Sequence, residues 1–407
     1  MKTRIATLLM LLGLFVVIAG CEKPDEEVNP IQLPLKSGEV ITADNQFGFD
    51  LYQQIAASAD LGKNLMISPL SISQALSMTY NGAAGETALA MEQGMRTTGI
   101  ERSDLNTINK ALVEALTSHD PKVTLDIANS IWYRQEYTVL QDFINSNQQY
   151  YNAQVNPLDF NNPASKDIIN KWVKDQTRGK IKEIVREIKS ESFMFLINAI
   201  YFKGMWKHEF DKRDTEKAPF HLEDGTDVTV DMMYQNANLN MFSNELFTSV
   251  ELPYGNGNWS MYLFSPSEGK KVADVEAELT PENWTQWITS YIEREEVTLR
   301  LPKFKFAYEE KLNDALCQMG MEEAFSPMAD FSGILPEGGL QISEVRHKTF
   351  IEVNEEGTEA AAVTSVEVEF TSIGNFLVFD RPFLFVIAER STGSVLFIGR
   401  VANPLEE

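Results

Sequence analysis

The chain has 407 residues, 43% of them hydrophobic and 23% charged, a globular composition with enough apolar material for one large core or two domains. Its formal net charge of −24 argues against nucleic acid or heparin-like polyanions as partners, since such a surface repels them. Beyond the N-terminal segment no apolar run is long enough to span a bilayer, and no internal repeat or low-complexity tract is present.

Lys2 and Arg4 precede an apolar run from Ala6 to Ala19, then Gly20 and Cys21, the layout of a targeting segment that is removed rather than folded. Residues 1–20 therefore read as a signal peptide, and losing Lys2 and Arg4 takes the net charge from −24 to −26. Ile18-Ala19-Gly20-Cys21 resembles a bacterial lipobox, which implies cleavage before Cys21 and lipidation of its thiol; an ordinary secretory peptide is the alternative. Glu22 to Pro34 is acidic and proline-containing, an extended tether assigned to residues 21–41, with the globular domain over 42–407.

Phe47, Leu51 and Ile55 recur every four residues and predict one face of a helix. Ser68-Pro69 predicts a helix start, with a hydroxyl cap and proline in the first helical position. Ser165 to Thr177 carries Ile168, Ile169, Trp172 and Val173 on one stripe and runs to Gly179, a helix closed by glycine. Phe193 to Phe202 is an apolar run suited to a strand covered on both faces. Val297, Leu299 and Leu301 alternate as on a strand. Leu312 to Met319 is helical in pattern, and there Cys317, the one thiol left once Cys21 is modified, reads as a buried small hydrophobe. Phe383 to Glu389 and Ser394 to Val401 flank Ser391-Thr392-Gly393 as a hairpin. Helices early and strands late predict a mixed α+β domain.

No enzyme signature stands out: there is no G-x-S-x-G, H-E-x-x-H, P-loop or dinucleotide fingerprint. His119, His208, His221 and His347 are scattered without metal-ligand spacing, so no metal or other cofactor is expected. The segment from Glu355 to Thr371 is more informative. At period 2 one face carries Thr358, Ala360, Ala362, Thr364, Val366, Val368 and Phe370, small or apolar throughout. The other carries Glu359, Ala361, Val363, Ser365, Glu367 and Glu369. Yet it opens with Glu-Glu-Gly-Thr and runs into Ser372-Ile373-Gly374-Asn375, which reads as an exposed loop. The residues leave two readings open: a solvent-facing edge strand, or a strand-like segment held as a loop in a molecule that changes state.

Glu355-Glu356-Gly357-Thr358-Glu359-Ala360-Ala361-Ala362-Val363-Thr364 resembles the reactive-loop hinge of inhibitory serpins, and ordered blocks from about Asn45 to Pro404 agree with it. Asn64 to Ile72 and Gly82 to Thr87 resemble the family's N-terminal signature, and Asn198 to Trp206 its central strand. Leu301 to Phe304, Gly320-Met321, Ala329 to Gly333, Phe379 to Phe383 and Phe397 to Pro404 resemble later blocks.

The resemblance implies a serpin fold: one α+β domain of three β-sheets and eight or nine helices, with an exposed reactive-centre loop over 355–378. It implies a suicide inhibitor rather than an enzyme. A target protease would attack the loop and form an acyl-enzyme, and the freed loop would insert into the main sheet before water releases the protease. The family's spacing places the scissile bond at Thr371–Ser372. Thr371 suits elastase-like proteases, and Phe370, in a shifted register, chymotrypsin-like or subtilisin-like ones. No Lys or Arg lies between Glu355 and Arg381, which argues against trypsin-like targets. Val363 is larger than the family's usual hinge residue but falls on the outward face. Ser68, Ser71, Asn198 and His347 match the shutter beneath the main sheet; Trp206, Lys303 and Glu355 match the breach at its top. Residues 99–122 hold no basic cluster, so no heparin-like cofactor is expected. The expected partners are serine proteases, with some cysteine proteases by extension, and a membrane through lipid on Cys21. The expected state is a monomer outside the cytoplasm, on the outer membrane or cell surface. A non-inhibitory serpin acting as a binding or carrier protein is the competing reading.

Overall fold

The computed structural model describes residues 30–358 and 375–406. The first half alternates helices with a few strands: α1 (Ser37–Ser58), β1 (Leu65–Ile67), α2 (Pro69–Tyr80), α3 (Gly85–Gly94), α4 (Arg102–Ser118), β2 (Val123–Arg134), α5 (Gln141–Tyr151), β3 (Gln154–Leu158) and α6 (Ser165–Gln176). Strands dominate next: β4 (Met194–Met205), β5 (Glu216–His221), β6 (Asp227–Ser243), β7 (Phe247–Tyr254) and β8 (Trp259–Pro266). Then come α7 (Val272–Ala277), α8 (Pro281–Ile288), β9 (Ile292–Pro302), β10 (Phe304–Lys311) and α9 (Asn313–Leu316). The chain closes with β11 (Arg346–Asn354), β12 (Gly357–Thr358), β13 (Asn375–Val378), β14 (Phe383–Glu389) and β15 (Val395–Val401).

The described strands form two hydrogen-bonded ladders. The main sheet has the order β10-β11-β12-β4-β2-β3. The other runs β1-β15-β14-β8-β7-β6-β9-β13, with β5 attached to β6. The latter unites two of the three expected sheets through the long strand β6. Its first half pairs with β5, its last four residues with β7, and its register against β9 shifts between Ala237 and Leu239, where the ladder bends.

Alternation of side chains produces three apolar layers. Inward residues of the main sheet, such as Leu125, Phe202, Phe306 and Ile351, pack on Leu263, Phe385 and Val401 of the nine-stranded sheet. The far side of that sheet is closed by helices, with Phe47, Tyr52, Trp284 and Trp287 against Phe264, Val386 and Ile398. On the outer face of the main sheet, α6 and the chain after it contribute Ile169, Val173, Ile181 and Val185, which meet Trp132 and Ile197.

Local signals carry into this architecture with some corrections. Phe47, Leu51 and Ile55 are all buried on α1. Ser68 caps α2 by accepting a hydrogen bond from the Ser71 amide at 3.3 Å, with Pro69 in the first turn. Helix α1 opens at Ser37, so residues 37–41, read as tether, are helical, because buried Val40 and Ile41 anchor that first turn. The α6 stripe is narrower than expected: Ile169 and Val173 are buried, whereas Ile168, one residue round the helix, is 46% exposed. Cys317 is half-buried rather than buried. Helix α9 stops at Leu316, and the following turn widens to a kink at Gly320 (φ 105°).

Candidate functional site: the hinge and the sheet that receives it

The proposed scissile residues Thr371 and Ser372, the alternative bait Phe370, and hinge residues Glu359, Ala360, Ala361, Ala362, Val363 and Thr364 lie outside the described residues, as does Cys21. The first hinge residues, Glu355 to Thr358, lie within them. They are not an exposed loop. After β11 the chain turns, with Asn354 Oδ1 accepting from the Glu356 amide at 3.0 Å, and re-enters the sheet as β12. There Val353 pairs with Thr358 and Asn354 with Gly357 on one side. Gly357 pairs with Met205 and Thr358 with Gly204 on the other. The hinge is therefore wedged between β11 and β4 at the top of the main sheet.

Two glycines make this close approach possible. A Cβ on Gly357, whose φ is +152°, would sit 2.1 Å from the Gly204 carbonyl oxygen and 2.7 Å from Met205 Cα. A Cβ on Gly204 would sit 2.7 Å from the Tyr254 ring. With neither Cβ present, Tyr254 lies directly beneath the hinge and its hydroxyl shares a 2.7 Å hydrogen bond with Thr358 Oγ1. Burial pushes the Tyr254 phenol well up, so it stays neutral.

The breach residues surround this wedge. Trp206 stacks on Tyr254 with ring centroids 4.4 Å apart, donates from Nε1 to the Asn354 carbonyl at 2.9 Å, and donates from its amide to the Glu356 carbonyl at 2.9 Å. Glu355 is buried and ionically paired with Lys303 at 3.1 Å, and it also accepts from Thr215 Oγ1 at 2.8 Å. Lys212 pairs with Glu356. The structure thus brings Trp206, Lys303 and Glu355 to one point. Tyr254 and Thr215 complete it, and neither carries a periodicity or motif that would single it out.

The shutter residues sit lower, in two groups. Ser68 donates its amide to His347 Nε2 at 2.9 Å, Ser71 donates to Ser68, and Thr349 Oγ1 donates to the Met66 carbonyl at 3.0 Å. Desolvation lowers the His347 pKa to about 3, so the ring is neutral and its Nε2 is free to accept. Asn198 belongs to the second group: its amide donates to Asn129 Oδ1 at 2.8 Å, and Asn129 donates on to the Tyr151 carbonyl at 2.8 Å. Asn198 Oδ1 is buried with no hydrogen-bond partner among the described residues. In the described ladders β4 and β11 meet only through β12. Below Thr358 the strands flank a small cleft lined by Ile200 and Phe202 of β4, Phe350 and Glu352 of β11, and Lys180 and Ile181.

Among the described residues no group of three or more His, Cys, Asp or Glu could hold a metal ion. His119 lies 3.5 Å from buried Glu389, and His221 is paired with Asp227 on the surface. No helix among the described residues is long and apolar enough to cross a membrane.

The sequence and the fold are similar to those of known proteins. Serpin A3-3 of Bos taurus is 35% identical over 406 residues, covering 97% of this chain and 98% of its own. A serpin-like protein of Methanosarcina acetivorans is 34% identical over 376 residues, covering 90% of this chain and 86% of its own. Among solved structures, the thermophilic serpin tengpin in its native state superposes with a TM-score of 0.82 at 34% identity, covering 92% of this chain and 97% of that one. Thyroxine-binding globulin in complex with thyroxine superposes at 0.83 with 31% identity, covering 90% and 99%. The family model for serpins, the serine protease inhibitors, matches residues 42–404, and the chain belongs to that family.

Proposed function

We propose that this serpin is a covalent-trapping inhibitor of serine proteases, cleaved at Thr371–Ser372 and tethered to a membrane through lipid on Cys21. The observation that carries the reading is β12: Gly357 and Thr358 already occupy the first strand positions between β11 and β4. Continuing both registers residue by residue would set Glu359 between Lys203 and Glu352, and Ala360 between Phe202 and Ile351. It would bring Thr364 between Asn198 and His347, where a hydroxyl can serve the unpartnered Asn198 oxygen. Thr358, Ala360 and Ala362 would then face the buried side and offer no bulk or charge to slow entry. Burial of Val366, Val368 and Phe370 further along adds roughly 1.5–3 kcal/mol each.

In this mechanism the chemistry is the protease's own. Its serine oxygen attacks the Thr371 carbonyl, the bond to the Ser372 nitrogen breaks, and that nitrogen leaves with a proton. The acyl-enzyme stays attached to Thr371 while the loop zips into the sheet, and translocation distorts the protease before water can attack the ester. Thr371 favours elastase-like targets, and Phe370 chymotrypsin-like or subtilisin-like ones. The likeness to thyroxine-binding globulin favours a second reading, a carrier that does not insert its loop.

Incubating the protein that begins after Cys21 with an elastase-like and a chymotrypsin-like protease tests the proposal. A denaturant-stable complex and a released peptide beginning at Ser372 are expected. Clean cleavage without complex, across a broad protease panel, supports the carrier.

A further inference from the structure

The segment before α1 is docked on the domain. Ile31 and Leu33 are partly buried against the layer between the two sheets, whereas Gln32 and Pro34 between and after them face solvent, the alternation of an extended strap. The Ile31 amide donates to Ser391 Oγ at 3.1 Å, in the turn between β14 and β15, and Lys36 pairs with Asp104 of α4 at 2.7 Å. That turn touches the one between β7 and β8. Arg390 donates from its amide to the Asn258 carbonyl at 2.9 Å and from its guanidinium to the Gly257 carbonyl at 3.1 Å. The β7–β8 turn is held in its turn to the end of β4: the Gly255 amide donates to the Met205 carbonyl and the Lys207 amide to the Pro253 carbonyl, both at 2.8 Å. Met205 is the partner of Gly357 in β12. A short chain of direct contacts therefore leads from Ile31 to the hinge.

We propose that this docked strap makes the hinge end of the molecule the end nearest the membrane, so that the reactive loop meets proteases working at that surface and a trapped protease is carried to the membrane-distal end. Cys21 lies nine residues before Pro30. Fully extended, nine residues reach about 30 Å. Strand β4, with 12 residues, is about 40 Å long. The lipid's reach is thus shorter than the main sheet, and the end at which the strap leaves the domain decides which end approaches the bilayer. Insertion runs the other way. Continuing the register of β12 against β4 would set Val368 beside Met194, where β4 begins, and would leave Thr371 beyond that far end. The inference rests on the lipidation and loop insertion proposed above, and it adds the direction in which the molecule stands and moves.

The test places a donor dye on the full acylated chain at one of two exposed positions, each with Cys317→Ser: Glu209→Cys, just past the hinge end of β4, or Ser343→Cys, just before β11 begins at the far end. The proteins are bound to neutral phosphatidylcholine vesicles that carry an acceptor-labelled lipid. Energy transfer from position 209 should exceed that from position 343. Ile31→Asp with Leu33→Asp releases the strap, lengthens the free chain and should shrink the difference. Equal transfer, stronger transfer from position 343, or a difference that release leaves untouched would overturn the inference while anchoring stands. The mass of the N-terminal peptide separates this from the parent reading: a chain without acyl groups on Cys21 that does not bind the vesicles would bring down anchor and inference together. Denaturing gels for the protease complex read inhibition independently of both.

Discussion

The two sheets of this serpin differ in a way that locates the moving part. In the nine-stranded sheet, β14 and β15 are buried along their whole length, and β14 is paired on both sides, to β8 and β15. Its residues there, Phe385, Val386, Ile387, Leu396 and Ile398, are large and apolar. Among the described residues of the main sheet, β4 and β11 share a partner only at β12, and the strands below carry polar groups such as Asn198 and His347 where an apolar pair would seal the seam. A fully packed sheet has one arrangement, whereas a seam with polar, incompletely partnered groups leaves room for a second. In the proposed mechanism one sheet is the fixed base and the other accepts a strand.

Substitutions should separate these roles. Thr358→Arg is expected to have the largest effect, turning the proposed inhibitor into a substrate, because a charge cannot enter the buried site above Tyr254; gels would show cleavage without complex. Phe385→Ala in the fixed base should cost about 3–5 kcal/mol in both intact and cleaved protein, measured by urea unfolding. Tyr254→Phe should be milder, about 1–2 kcal/mol, by leaving the Thr358 hydroxyl without its partner; it should loosen the hinge while sparing the nine-stranded sheet.

Two buried groups give the pH dependence opposite signs. The His347 pKa falls to about 3 through desolvation, so below about pH 6.5 the unfolded chain takes up a proton that the folded ring refuses. Stability is therefore lost as pH falls from 6.5 toward 3. Asp44 is raised to about 6, mainly by burial and against the opposing effect of its hydrogen bond from Ser73, so the folded state binds its proton first. Its contribution rises as pH falls from 6 toward 4. Asp44→Asn should remove this compensation, giving a steeper fall in melting temperature between pH 6 and 4 than in wild type.

Local regularities were legible in the sequence. The stripe of Phe47, Leu51 and Ile55, the Ser68 cap and the hairpin around Gly393 depend on neighbours a few residues away. From Gly357 and the alanines after it, a resemblance to the family hinge could be read. Where the hinge begins could not: its docked state depends on Gly204 and Tyr254, far away in the chain, meeting Gly357 and Thr358. Ile168 and Cys317 were misplaced for a related reason, since a helical pattern does not show which part of its stripe a neighbour covers. The docking of Ile31 and Leu33 was invisible, because so short an alternation looks like extended tether until Ser391 and the layer between the sheets meet it.

The most direct measurement is thermal unfolding of the intact protein beside the same protein cut once within the reactive loop. A main sheet awaiting a strand should gain stability, with a melting temperature higher by roughly 10 °C or more in the cut form, since several kcal/mol of new burial and ladder bonds are added. An unchanged or lower melting temperature after cleavage would contradict insertion and leave β12 as the fixed end of a static sheet.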